Sequence, residues 1–351
     1  MGPAASLLRM PAGLQRKVPQ FVRKYGAYLS ALGIALIFWA ESAAGMTGSP
    51  RATALLVLTI VALAALSGLV FERRAWCRYL CPLGSMIGLL SRCSAIELRS
   101  NYNICNSSCT GHDCYAGSSR SDGCPVFEGP FSLRSNQHCM LCGNCVKSCP
   151  NNSPVLNLRI PGQELWATRA TEQGGVFIGA ALIGTQLFRG MEHAGIFGGL
   201  VHSGLWWLWA AAAIACLALG VLAFASFSGK RSFPLSEQED RGLSHMLYSF
   251  IPLAAAFEIS FQLGRMLVLG GMLPDVISHH LGSASDLPAP VMTQGGIKTL
   301  QTIVMLIGLC GSLFVSQRFG RCLSASERVP AWPSLVLGML LAGLLLAARQ
   351  V

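Results

Sequence analysis

The chain has 351 residues, of which 52% are apolar and only 12% charged, with a formal net charge of +10. Soluble proteins carry about 25% charged residues, and disordered chains need low hydrophobicity with dense charge, so both classes are excluded for most of the sequence. Fourteen cysteines in so long and apolar a chain are not the disulfide framework of a small secreted domain.

A helix needs about 20 predominantly apolar residues to cross the hydrocarbon core of a membrane. In chain order the pattern predicts seven spans, over 25–40, 52–71, 173–188, 203–229, 243–273, 299–317 and 329–348. Four of them (52–71, 203–229, 299–317 and 329–348) hold no charge inside. The stretches 25–40 and 173–188 are shorter, ending at Glu41 and Arg189, and 243–273 carries Glu258 and Arg265. With the N-terminus inside, twenty-one Lys and Arg fall on the inner segments against four (Arg51, Arg189, Lys298, Arg349) on the outer ones. That is a positive-inside pattern, and it accounts for the basic total without a nucleic-acid partner. A cleaved signal peptide is the competing reading of residues 1–46, since Glu41-Ser-Ala-Ala-Gly is a small-residue run, although the arm before Tyr25 is long for such a leader.

The expected organisation is a cytoplasmic arm over 1–24, two membrane helices over 25–72, a cytoplasmic cysteine module over 73–171, and five more helices over 172–351 with the C-terminus outside. Eleven of the fourteen cysteines lie between Cys77 and Cys149. A reducing cytoplasm turns dense cysteines toward metal or redox chemistry. The run Cys139-x2-Cys142-x2-Cys145-x3-Cys149-Pro150 is the bacterial ferredoxin spacing for a [4Fe–4S] cluster, in which the fourth cysteine serves the other cluster of a pair. Zinc sites favour two pairs separated by a longer spacer. Upstream, Cys105-x3-Cys109-x4-Cys114 and then Cys124-Pro125 make a stretched version with a Gly-, Ser- and Asp-rich insertion at 117–123. The expected sets are Cys139, Cys142, Cys145 and Cys124 on one cluster, and Cys105, Cys109, Cys114 and Cys149 on the other. His112 is an alternative ligand in the second set, and a second set without a cluster stays open. A module with so little apolar sequence is expected to fold with its metal.

Before these runs stands Trp76-Cys77-Arg78-Tyr79-Leu80-Cys81-Pro82-Leu83-Gly84, with two thiols one helical turn apart and Cys93 twelve residues on. This element, placed just after a membrane helix and before a ferredoxin-type pair, resembles the membrane polyferredoxins of the NapH/NosR/CcoG type over about residues 50–160. The resemblance implies a bacterial inner-membrane protein, and it departs from that pattern in the stretched 105–124 run. Cys77, Cys81 and Cys93 are expected as ligands of a third centre, as substitute ligands, or as structural or redox thiols.

Glu258, Gln262 and Arg265 share one helix face. Inside a span such groups line either a quinone or proton path or a polar packing stripe. His245, on the inner side of that span, is a candidate proton acceptor or a helix-end residue. Glu192, His193, His202, His279 and His280 show no haem- or copper-binding spacing. Trp206, Trp207 and Trp209 read as an interfacial belt, and Cys216 and Cys310 as small buried side chains.

Two functions are expected. One is an electron-transfer protein linking the quinone pool, or a membrane redox partner, to two [4Fe–4S] clusters. The other, implied by the resemblance, is a redox assembly or regulatory factor for a copper or nitrous-oxide/nitrate-respiration metalloenzyme, with a metal or oxygen sensor as a variant. A transporter with a structural metal domain is the bland third. In each case the chain contacts membrane lipid and serves a protein partner rather than carrying substrate chemistry of its own.

Overall fold

The first two apolar stretches fold as α1 (Gln20–Ala43) and α2 (Pro50–Val70). Ser49 caps α2 by accepting from the Ala52 amide at 3.4 Å, and Pro50 occupies the first turn, where its missing N–H costs nothing. Uniformly apolar, α2 buries none of its own residues in the protein, whereas a helix in water would bury a stripe. The computed structural model describes residues 16–46, 49–71, 73–167, 173–201, 204–228, 240–270, 292–322 and 332–347. These divide at Leu182 into two compact units.

In the first unit, α1 carries Gly26, Ser30 and Gly33 on one face, the spacing of a close-packing stripe. A Cβ at Gly26 would sit 2.7 Å from the Tyr79 carbonyl, and one at Gly33 2.5 Å from the Pro82 ring. Ser30 Oγ donates to the Tyr79 carbonyl at 3.2 Å. The stripe therefore receives the wide π-type turn Trp76–Leu80 and the start of α3 (Pro82–Leu90). Beyond it come β1 (Ile96–Ser100), α4 (Tyr102–Ser108), α5 (Asp113–Ala116), β2 (Gly117–Ser118), β3 (Ser121–Asp122), α6 (Asn144–Ser148), β4 (Pro154–Leu158) and α7 (Gln163–Ala167). β1 and β4 pair antiparallel from Ile96↔Leu158 to Ser100↔Pro154, and β2 pairs β3 with Gly117 opposite Asp122. The cysteine runs are thus closed by two short ribbons. Among the buried residues between them are Leu98, Cys114, Leu133 and Cys145, with Cys139 against them. Cysteines supply much of this core.

Helix α8 (Gln173–His193) crosses the division, followed by α9 (Trp206–Ser228), α10 (Asp240–Ser249), α11 (Ile251–Leu269), α12 (Gln294–Cys322) and α13 (Trp332–Ala347). Pro252 near the start of α11 explains its separation from α10, since proline is tolerated only in a first turn. α11 and α12 pack closely through small and polar groups: Gly308 faces Ala256, Ser260 and Gln301 exchange hydrogen bonds with each other's carbonyls at 3.3 and 3.0 Å, and Ser312 accepts from the otherwise orphaned Leu253 amide at 3.1 Å. Small residues and interhelical polar contacts are how helices associate where water does not drive them together.

Five described helices are long and apolar enough to cross a membrane: Gln20–Ala43, Pro50–Val70, Trp206–Ser226, Ser244–Val268 and Gln294–Phe319. The expectation was seven. α8 is long enough, but Thr185, Gln186, Arg189, Glu192 and His193 dilute its apolarity, and the first three of these are buried within the protein. α13 is apolar over 16 described residues, about 24 Å at 1.5 Å per residue against a core of about 30 Å; the expected ends at 329–331 and 348 lie outside the described residues. Two smaller expectations change. Trp206 is buried against Phe188 and Phe197, leaving Trp207 and Trp209 exposed. Cys216 and Cys310 are exposed on their helices rather than buried. His202, His279 and His280 lie outside the described residues.

Candidate iron–sulfur centres

The chain around Cys139 is shaped by backbone geometry. Ser135 Oγ accepts from the Gln137 amide at 3.0 Å, and the Cys139 amide donates to the Asn136 carbonyl at 2.9 Å. Leu141 then adopts φ +48° and Gly143 φ +78°. Two left-handed residues two positions apart curl the run tightly, and at a bulky residue such as Leu141 this conformation is costly and typical of a functional loop. Gly143 begins α6, which carries Cys145; the Cys149 amide donates to the Cys145 carbonyl at 3.1 Å, and Cys149 itself is extended. Cys149 therefore leaves the loop that holds the other three.

Cys139, Cys142, Cys145 and Cys124 line one hollow, walled by Leu98, Leu133, Met140 and Leu141. A second hollow is lined by Cys105, Cys109, Cys114 and Cys149. Each hollow thus gathers cysteines from both runs. In the second, Asn101 caps α4 by accepting from the Asn103 amide at 3.1 Å, and Cys105 Sγ lies 3.1 Å from Ser153 Oγ. His112, left-handed at φ +49°, stacks on Phe131 with its Nδ1 3.7 Å from Cys109 Sγ. It is beside the second set, with all four cysteines also present there.

Burial, then the neighbouring Cys149, Cys109, Cys105 and Cys145, pushes the Cys114 thiol up to about 12. Burial, then Cys142 and Cys139, pushes Cys145 to about 11. Cys139 is raised chiefly by burial, with the Leu141 amide pulling the other way. Without a cation these thiols keep their protons, and a metal must displace them. Every cysteine whose side chain is described is a free thiol. Among the described residues no group of three or more His, Cys, Asp or Glu is placed close enough to hold a metal ion. The four cysteines that line each hollow are the donor set of a [4Fe–4S] cluster.

The first hollow is tied to the end of α2. Arg73 donates to the Cys124 carbonyl at 3.0 Å and lies over the Tyr115 ring at 4.3 Å. The Arg74 amide donates to the Pro125 carbonyl at 2.9 Å, and Arg78 pairs with Glu128 in the hollow's wall at 2.5 Å. A Cβ at Gly88 of α3 would lie 2.4 Å from the Gln137 carbonyl, so that glycine lets α3 approach the turn before Cys139.

A buried carboxylate, not singled out in the sequence, organises the same turn. Glu164 on α7 accepts from the Asn136 amide at 2.9 Å and Ser135 Oγ at 2.5 Å, pairs with Arg159 at 2.8 Å, and faces Arg99 at 3.5 Å and Arg92 at 3.6 Å. Arg99 also donates to Asn136 Oδ1 at 3.1 Å. The signal was available: Arg78, Arg92, Arg99 and Arg159 counted toward the positive inner loop, but all are committed to internal pairs. Cys93 lies beside this carboxylate. Burial, then Glu164, pushes its thiol up to about 12, while the charged neighbours of Cys77 are Cys81 and Arg74.

In the second unit, Glu258 meets Arg189 of α8 at 2.5 Å and accepts from Gln262 at 2.9 Å. Arg189 also lies over the Phe261 ring at 4.3 Å, with His193 stacked on that ring. The polar stripe thus has its partner helix. His245 is buried against Phe319, with ring centroids 4.5 Å apart.

A family described as a 4Fe-4S binding domain matches residues 53–100, a segment containing α2, α3 and β1 together with Cys77, Cys81 and Cys93. The protein named "Putative electron transport protein YccM" of Escherichia coli (strain K12) is 30% identical over 102 residues, 29% of this chain and 18% of that relative. The likeness therefore spans less than a fifth of the relative's length. No solved structure matches significantly. The likeness to 4Fe-4S binding proteins thus falls on the segment that carries Cys77, Cys81 and Cys93, in a chain with five described helices long and apolar enough to cross a membrane.

Proposed function

We propose that the chain passes electrons between a redox partner at the membrane and two [4Fe–4S] clusters, one held by Cys124, Cys139, Cys142 and Cys145, the other by Cys105, Cys109, Cys114 and Cys149. The observation that carries this reading is the sorting of eight cysteines from two interleaved runs into two four-thiol hollows. A [4Fe–4S] cluster, when bound, supplies a one-electron couple whose potential depends on charge, hydrogen bonds and burial. The protein's own residues set those terms. Cys114 and Cys145 lie within electrostatic reach of each other, which suits exchange between adjacent centres. Leu98 and Leu133 are buried in one cluster with Cys114 and Cys145. Arg73, Arg74 and Arg78 fix the Cys124 arm to the membrane end, and Arg99 places positive charge near Cys139.

A quinol is the membrane donor that best fits a pair of one-electron centres, since it releases two electrons. The Lys and Arg distribution favours a cytoplasmic module in a bacterial inner membrane. Glu258 and Gln262 are read as a packing pair for Arg189 rather than as a proton path. The test is anaerobic purification with iron and acid-labile sulfide analysis and a redox titration followed by EPR. About eight iron and eight sulfide per chain are expected. Zinc, absence of sulfide, or a single cluster would overturn the assignment.

A further inference from the structure

Cys77 and Cys81 are left over from both hollows and lie together. Cys77 belongs to the turn Trp76–Leu80, and the Cys81 amide closes that turn on the Trp76 carbonyl at 2.8 Å. One helical turn separates their Cα atoms by about 5–6 Å, inside the 4.4–6.8 Å range of disulfides. In a continuous helix both Cβ atoms would lean toward the N-terminus and resist bridging. Cys81 escapes this, because its backbone is extended (φ −74°, ψ 113°) and its Sγ turns over the start of the nine-residue α3, where the Gly84 amide donates to it at 3.2 Å. Gly84 leaves the space open: a Cβ there would meet the Cys77 carbonyl at 3.2 Å and Cys81 Sγ at 3.5 Å. Cys77 is exposed, and after burial it is Cys81 that most raises its thiol.

We propose that Cys77 and Cys81 form a redox-reversible dithiol–disulfide pair, oxidised by a small disulfide of the glutathione class. The exposed Cys77 sulfur attacks the small disulfide, forming a mixed disulfide and releasing one thiol. Cys81, its sulfur held over the start of α3 by the Gly84 amide, attacks the Cys77 sulfur and releases the second thiol. Two protein thiols lose two electrons, and the small disulfide takes both with the two protons. Arg78 lies between the cysteines and pairs with Glu128 in the wall of the first hollow, so locking the turn acts on that wall. The pair goes beyond the proposed electron transfer, and its test reads no cluster.

The full chain, purified anaerobically in detergent, is equilibrated with reduced and oxidised glutathione, quenched with N-ethylmaleimide and cut with trypsin. Cleavage after Arg74, Arg78 and Arg92 places the two cysteines on separate peptides, 75–78 and 79–92. The expected product is these two joined, rising from about one tenth to about nine tenths over a roughly 100-fold change in the squared-glutathione to glutathione-disulfide ratio, as for a two-electron couple. Cys81→Ser should leave glutathione on Cys77 and no link. Separate maleimide labels at every ratio, or a pair that resists labelling until a metal is chelated away, would overturn the proposal.

Discussion

Replacing Glu164 with glutamine tests whether one buried carboxylate holds the approach to Cys139. The Glu164 side chain is 1% exposed, and the guanidinium groups facing it are 2% (Arg92), 5% (Arg159) and 19% (Arg99) exposed. Removing one member of a buried pair costs about 3–5 kcal/mol, because the remaining charge stays desolvated. Glu97 still reaches Arg159 at 2.9 Å and Arg99 at 3.2 Å, which puts the cost at the lower end, about 3 kcal/mol. That corresponds to roughly a 150-fold change in an opening equilibrium. Amide hydrogen exchange in the full-length protein, purified anaerobically with its iron, reads it directly. Segments 135–149 and 159–167 should exchange about 100-fold faster in Glu164→Gln, while Glu97→Gln, at a carboxylate 20% exposed, should change them by less than about fivefold. Exchange of the 135–149 amides within threefold of the parent protein would refute the argument that Glu164 anchors this turn.

Cys124→Ser should lower bound iron from about eight to about four per chain and lose the same EPR signal as Cys142→Ser, whereas Cys149→Ser should lose the signal that Cys109→Ser loses; loss of the Cys142 signal in Cys149→Ser would mean that Cys149 belongs with its neighbours in sequence. Gly143→Ala meets no atom within 4 Å, so its cost is the left-handed backbone alone, about 1–2 kcal/mol by chemical denaturation. Gly123→Ala would place a Cβ 2.1 Å from the Tyr115 carbonyl and should cost more and displace Cys124, read as lost iron. Cys93, with its thiol raised to about 12, is ionised in about one molecule in 10⁴ at pH 8; compared with an ordinary cysteine near 8.5, its alkylation by iodoacetamide should be at least about 2000-fold slower, rising tenfold per pH unit until the thiol titrates. In the second unit, Glu258→Gln leaves the Arg189 guanidinium, 6% exposed, without its carboxylate and should cost about 3 kcal/mol, whereas Arg189→Met with Glu258→Met should recover most of it, measured by thermal inactivation in detergent.

Much of this protein is legible in one dimension. The apolar stretches at 52–71, 203–229 and 299–317 announced their helices because a membrane span is a local matter of length and apolarity. The ferredoxin run announced its loop for the same reason, since Cys139, Cys142 and Cys145 are placed by backbone turns a few residues wide. The cross-run sets are expectations from the same spacing, and each hollow gathers cysteines from both runs. Tertiary structure decided the rest. Arg189 meets Glu258 across 69 residues, Arg92 meets Glu164 across 72, and Cys93 lies beside that carboxylate. Trp206 turned inward to Phe188 for the same kind of reason. Attraction between charges and the packing of rings depend on distance in space and leave no period in the chain, so only the folded protein shows which distant groups share a site.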